Sequence, residues 1–354
     1  MPDNPKFNEH VRNALALRVG HRCSFPGCDE TTVGPSDEKN DAINRSGTAC
    51  HIYAAKAGKP ARRRHPTMTA AELSSIENGI WMCQTHGKMI DADEATYTPG
   101  VLVQWRKLAE FRAKIRQQFG GDIDIVSYRG DMDLASFEEN INLSDSLGER
   151  IREYMIRSCA IDVWGRDLHN ALRELLFEVS QNAFKHGGAK EISMEVDYNK
   201  ITISYDGTAF SLDDLANHSS DRGGASCIRS FRTRYAKKVV LSYFYKNDKN
   251  NISISFPAKK EDVAQATPCC VTFDVEDVDW VKEVSDFVLL SGSCETIYLV
   301  PTSDFSFSHL RFLPPSFRNF TSRKVLVTDS MSESLLEHVK ERFPDIEVMQ
   351  IHRR

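Results

Sequence analysis

Apolar positions in the first 120 residues fall into short, well-separated groups. Residues 8–19 (NEHVRNALALRV) carry them at helical spacing and predict a short opening helix. TACHIYAA reads as a strand, with Cys50 and Ile52 on one face and His51 on the other. NGIWMC, opening at Asn78, reads as a second strand, and the Cys-x-x-His after it enters a helix. From Pro99 to Phe119 apolar residues recur at Val101, Leu102, Trp105, Leu108, Phe111 and Ile115. That is the stripe of an amphipathic helix with proline at its start.

Gly120-Gly121 closes this front region, and an acidic, weakly periodic stretch follows. Two long helical patterns come next, 144–161 and 166–185, ended by a Gly-Gly break at Gly187. EISMEVDY and KITISYDG then alternate as strands joined by a turn at Asn199-Lys200, with further strands at KKVVLSYFYK and NNISISFP. Toward the C-terminus CCVTFDV, ETIYLVP, RKVLVTD and IEVMQI alternate with helical stretches, which argues for a small parallel α/β layer. The expected division is a domain at 1–120, a linker at 121–136, a second domain at 137–260 and a third at 267–354.

Charge changes this picture by separating front from rear. Residues 1–121 hold 17 Lys and Arg against 13 Asp and Glu, whereas the remainder holds 28 against 37. A basic front and an acidic rear point to a polyanion met by the front alone. No apolar run approaches the ~20 residues of a membrane span, and the N-terminus has no signal-peptide core, so a cytoplasmic protein with no membrane partner is expected. Nine cysteines in such a compartment are expected as metal ligands or buried thiols; Cys269, Cys270 and Cys294 are read as core thiols.

The cysteine spacing carries the first specific chemistry. Cys23 and Cys28 flank a Pro-Gly turn, the form of a zinc knuckle, and two thiolates cannot close a tetrahedral site. Cys83 and His86 supply the missing pair at one-turn spacing. The expectation is a structural Cys3His zinc, the plain alternative being two unrelated buried pairs. Between them, Lys56–His65 (KAGKPARRRH) is a basic loop, and Lys59, Arg62, Arg63 and Arg64 are expected to contact phosphate. Nothing nearby reads bases, so low sequence specificity is expected.

Strand, loop, strand and helix in this order, with His51, Asn78 and CQTH, resemble the HNH, or ββα-metal, nucleases over about 18–109. The run Asn-Gly-Ile-Trp-x-Cys is similar to that of zinc-bound HNH effectors in bacterial anti-phage defence. The resemblance implies His51 as general base, Asn78 as the residue holding the loop, and Asp91 as ligand to a catalytic Mg2+ or Mn2+. It departs at Gly87, where a ligand histidine is often found, and at Cys50, before the base.

Farther on, ELLFEVSQNAFKHGG resembles the N-box of the GHKL ATPases, the fold of histidine kinases, gyrase and the Hsp90 family. This implies a Mg2+–phosphate role for Asn182, a hydrolytic base at Glu178 and a phosphate contact at Lys185. It also implies an adenine box at Asp206-Gly207 and a lid at Arg222-Gly223-Gly224, with ATP as ligand. The fold class expected is thus α+β multidomain: a zinc-stabilised ββα-metal nuclease domain, a GHKL-like α/β sandwich and a small C-terminal α/β layer.

The leading expectation is a metal-dependent DNA endonuclease controlled by a nucleotide-binding or sensing rear, in anti-phage defence. The second is a non-catalytic zinc-dependent DNA-binding regulator with a ligand-sensing rear. The third is a GHKL ATPase with a zinc targeting domain. A homodimer or higher oligomer and a partner defence protein are expected as companions.

Overall fold

Asn8 accepts from the Val11 backbone N–H at 2.8 Å and so caps α1 (Glu9–Arg18), which buries Leu15 and Ala16. The computed structural model describes residues 5–55, 63–121, 125–143, 145–197, 199–217, 223–292, 294–310 and 322–351. A small two-stranded ribbon follows α1, β1 (Val33–Pro35) against β2 (Ile43–Arg45). Then comes β3 (Gly47–His51). A helical turn α2 (Ala70–Leu73), opened by a Thr69–Glu72 capping box, leads to a 3-10 turn ending at Asn78. From there β4 (Gly79–Cys83) pairs antiparallel with β3, Cys50 opposite Ile80 and His51 opposite Gly79.

The helix α3 (Gln84–Ala92) grows directly out of β4, and α4 (Pro99–Phe119) follows at the bounds its apolar stripe predicts. Trp105, Leu102, Leu108, Ile80, Met82 and Ile90 are fully buried in this part of the chain.

Residues 125–131, expected in a linker, form a 3-10 stretch that packs against a later helix. The chain passes through β5 (Phe137–Asn142) and α5 (Leu147–Arg157), turns at Cys159 with φ +59°, and adds α6 (Ala160–Trp164). The single helical pattern read over 144–161 is therefore two helices. Asp162 on α6 accepts from Arg112 Nη1 at 2.8 Å and from the Gly27 N–H at 2.9 Å, deep in the front unit. The compact units are accordingly Met1–Ala135 with Glu153–His169, and Ser136–Arg152 with Asn170–Arg354.

The second unit holds two sheets. After α7 (Arg166–Lys185) come β6 (Glu191–Asp197) and β7 (Lys200–Asp206), α8 (Leu212–Asn217), α9 (Gly223–Tyr235), β8 (Val240–Lys246) and β9 (Lys249–Ser255). These strands form an antiparallel sheet in the order β5-β6-β7-β9-β8. Their alternation sets Ile192, Met194, Val196, Ile201 and Ile203 in the core.

Next are α10 (Asp262–Ala266), β10 (Cys270–Phe273), α11 (Trp280–Leu290), β11 (Thr296–Pro301), α12 (Phe307–Leu310), β12 (Arg323–Thr328), α13 (Glu333–Arg342) and β13 (Ile346–Gln350). Strands β10 to β13 lie parallel in sequence order, as the strand–helix alternation predicts. The parallel sheet is not separate from the antiparallel one. Tyr298 Oη bonds both the N–H and the carbonyl of Leu241 at 3.1 Å, and Ser242 bonds Thr267 at 2.6 Å. The domains expected at 137–260 and 267–354 thus share one unit.

One cysteine expectation is corrected here. Cys269 and Cys294 are joined in a disulfide rather than standing as core thiols, and Cys270 alone of the three is free. They precede neighbouring strands, their Cα atoms 5.8 Å apart, within bridging range. Among the described residues no helix is long and apolar enough to cross a membrane.

Candidate metal centre and the faces around it

The tightest cluster of chemistry is Cys23, Cys28, Cys83 and His86, whose ligand atoms lie within 4.8 Å of one another. Three local structures deliver them. Cys28 N–H donates to the Phe25 carbonyl at 3.0 Å, folding the knuckle back on itself. Cys83 is the N-cap of α3, and His86 follows one turn in, its Nδ1 3.2 Å from Cys83 Sγ and 3.4 Å from Cys23 Sγ. Phe25 stacks on the His86 ring at 3.9 Å with Trp105 edge-on behind it, which fixes the imidazole plane. Burial pushes the Cys23 and Cys28 thiols up, so a metal ion binding here must displace their protons. Three sulfurs and one nitrogen form a closed set that could hold an ion such as zinc.

His51 ends β3 on the other side of the hairpin. Its ring stacks on Phe7 at 3.9 Å with an interplanar angle of 10°, and its Nε2 is buried without a hydrogen-bond partner. Burial lowers its pKa, against the opposing pull of the Pro5 carbonyl and the Asp91 carboxylate. A groove of about 470 Å3 opens over it, lined among others by Lys6, Arg12, Asn13, Arg45 and Trp81. The sequence reading missed these cations. Arg12 and Arg45 stand alone in sequence and only the fold gathers them.

Asn78 is buried and clamps the loop after β3. Its Oδ1 accepts from the Tyr53 N–H at 2.7 Å, and its Nδ2 donates to the carbonyls of Tyr53 and Leu73 at 2.9 Å.

Arg63 departs furthest from expectation. Instead of facing solvent for phosphate, its side chain is 4% exposed. It donates to the carbonyls of Ile52 (3.0 Å), Ile90 and His51 (3.3 Å), and to the Asp91 carboxylate at 2.9 Å. Arg64 is exposed; Lys59 and Arg62 lie outside the described residues. Asp91, expected to hold a catalytic ion, is thus engaged by a fixed internal cation.

Gly87 completes that face. A Cβ there would lie 2.7 Å from Thr48 Cγ2 and 3.0 Å from Cys50 Sγ, so α3 sits directly on β3. Cys50 is buried, and burial pushes its thiol up to about 12. A hard divalent ion prefers several oxygen donors. This face offers one carboxylate already paired and one buried thiol. Among the described residues no group of three or more potential ligands converges apart from the Cys3His set. Any Mg2+ or Mn2+ here would have to share Asp91 with Arg63.

In the second unit, Asn182 Nδ2 turns back to the Glu178 carbonyl at 2.8 Å, one turn down α7. The start of α9 sits on this pair: a Cβ on Gly224 would lie 2.7 Å from Asn182 Nδ2, and one on Gly223 3.1 Å from Glu178 Oε2. Gly207 has φ +141° and abuts the Gly187 carbonyl, joining the ends of β7 and α7. Asp206 and Lys185 are exposed, and Arg222 lies outside the described residues. Of the expected residues, Glu178, Asn182, Gly223 and Gly224 lie together, with the start of α9 close against Asn182.

Neither the known protein families nor the curated proteins include a match to this chain.

Proposed function

We propose that the front unit is a zinc-built nucleic-acid-binding module that grips phosphate in the groove over His51. In this reading it does not cut, and it serves a regulator whose second unit answers to a ligand. The observation that carries it is the closed face between α3 and β3. There Gly87 leaves no room for a ligand side chain and Arg63 already engages Asp91. The cations Lys6, Arg12 and Arg45 around the groove suit a phosphate backbone and supply no base reading.

The test uses the full chain: metal content by mass spectrometry, duplex binding by anisotropy across a salt series, and plasmid cleavage with Mg2+ or Mn2+. The expected result is one zinc per chain, steeply salt-dependent binding, and no cleavage. Arg12→Glu with Arg45→Glu should weaken binding more than tenfold. Cleavage by the wild type that disappears in His51→Ala would overturn the reading.

That outcome would establish the second reading, a metal-dependent DNA endonuclease with His51 as general base. One observation favours it: His51 Nε2 has no partner in the structure, and burial keeps the ring neutral near pH 7, the state a base needs.

A further inference from the structure

The second unit carries a groove that neither reading uses. It has a volume of about 980 Å3 and lies where the end of α9, the C-terminal half of α13 and the outer strand β13 meet. Six of its lining residues are cations, Arg232, Arg234, Lys237, Lys238, Arg323 and Lys340, against a single acid, Glu347. This is the reverse of the chain around it, since residues 122–354 carry 28 basic against 37 acidic residues.

Gathering like charge destabilises a fold unless something answers it. Arg232 is answered internally by Asp213 and Glu295, and Arg323 by Glu347 in a two-pronged pair. Lys237, Lys238 and Lys340 are exposed and have no ion pair among the described residues. The floor between them is partly apolar, with Leu336, Pro344, Ile346 and Val348.

We propose that this groove binds the phosphodiester backbone of a single nucleic-acid strand, Lys237, Lys238 and Lys340 being the groups that meet phosphate. A cationic groove that tracks a backbone is the general device for such strands. A second copy of the chain fits poorly, because a like surface would set these lysines against their own kind. Lysines also guard open sheet edges against pairing, but they do so from the edge strand itself. Here they converge from α13 and from the residues after α9, across the groove from β13.

The test measures anisotropy of a fluorescein-labelled single-stranded 12-mer on the full chain. The chain carries Arg12→Glu and Arg45→Glu throughout, so that the front groove does not contribute and a failure here leaves the front-unit reading untouched. Adding Lys237→Glu, Lys238→Glu and Lys340→Glu should lower affinity at least tenfold. It should also reduce the slope of log K against log salt by about 2, the loss of three strand phosphate contacts at ~0.7 each. Replacement of the same three by arginine should retain binding, and all variants should melt with the parent because the sites are exposed. Unchanged affinity and slope would overturn the proposal. So would equal binding of poly-glutamate of the same length, which would make the partner an acidic peptide.

Discussion

The two ends of α3 begin from the same materials and finish differently. At its N-terminal end Cys83 and His86 meet Cys23 and Cys28 within 4.8 Å, and Arg112 reaches only the Cys23 backbone carbonyl, at 3.4 Å. At its C-terminal end Asp91 is met by Arg63, whose guanidinium also ties the carbonyls of His51, Ile52 and Ile90. One end could take an ion from outside to hold its ligands together; the other has built its cation in. A resemblance in sequence therefore does not by itself bring a metal. What decides is whether a nearby side chain has already answered the donor.

The largest test of this contrast is at the first end. Cys83→Ser, or chelation of the wild type, should release the metal and unfold the front unit, since structural zinc contributes ~10 kcal/mol or more. Metal analysis and loss of the Trp105 near-ultraviolet signal would register it. A front unit that stayed folded without metal would erase the difference between the two ends.

Arg63→Met should come next, costing about 2–4 kcal/mol in chemical denaturation because it strands buried carbonyls. Asp91→Asn should cost well under half of that, its carboxylate being 63% exposed. Equal costs would mean the ion pair, not the carbonyl cage, holds the loop. Gly87→Ala should lose about 1 kcal/mol net, as crowding of Thr48 and Cys50 outweighs a gain of similar size in helix propensity. A stabilised variant would show that α3 can rise off β3 and make room for a ligand.

The smallest effect is in pH. His51 has a folded pKa below its unfolded value of ~6.5. Its contribution is therefore present above that value and lost as pH falls through the folded pKa. His51→Gln should flatten this part of the stability profile between pH 7 and 5; an unaltered slope would mean the ring is more solvated than its stack on Phe7 implies.

Local chemistry was readable from sequence, and distant pairing was not. Cys-x4-Cys and Cys-x2-His announce a metal set because a turn and a helix start each fix two ligands. The stripe from Val101 to Ile115 gave α4 its bounds, yet Arg112, inside that helix, is buried for a reason fifty residues away. Arg63 looked like one basic residue in a basic loop, and only its position beneath Ile90 and Asp91 turns it inward. The disulfide escaped for the same reason, because it depends on which strands become neighbours. In the second unit the periodic strands were plain in outline. The seating of α9 on Asn182 was not, since two glycines in sequence do not say what they will touch.

Asp162 sets a condition on how this protein can be made. The carboxylate that neutralises buried Arg112 and receives the Gly27 N–H of the zinc knuckle arrives only with α6, after β5 and α5 have been laid down. During synthesis the Gly27 N–H and Arg112 cannot meet that carboxylate until α6 has emerged. A fragment ended at the Gly120-Gly121 break would keep all four candidate metal ligands and still leave Arg112 without its carboxylate.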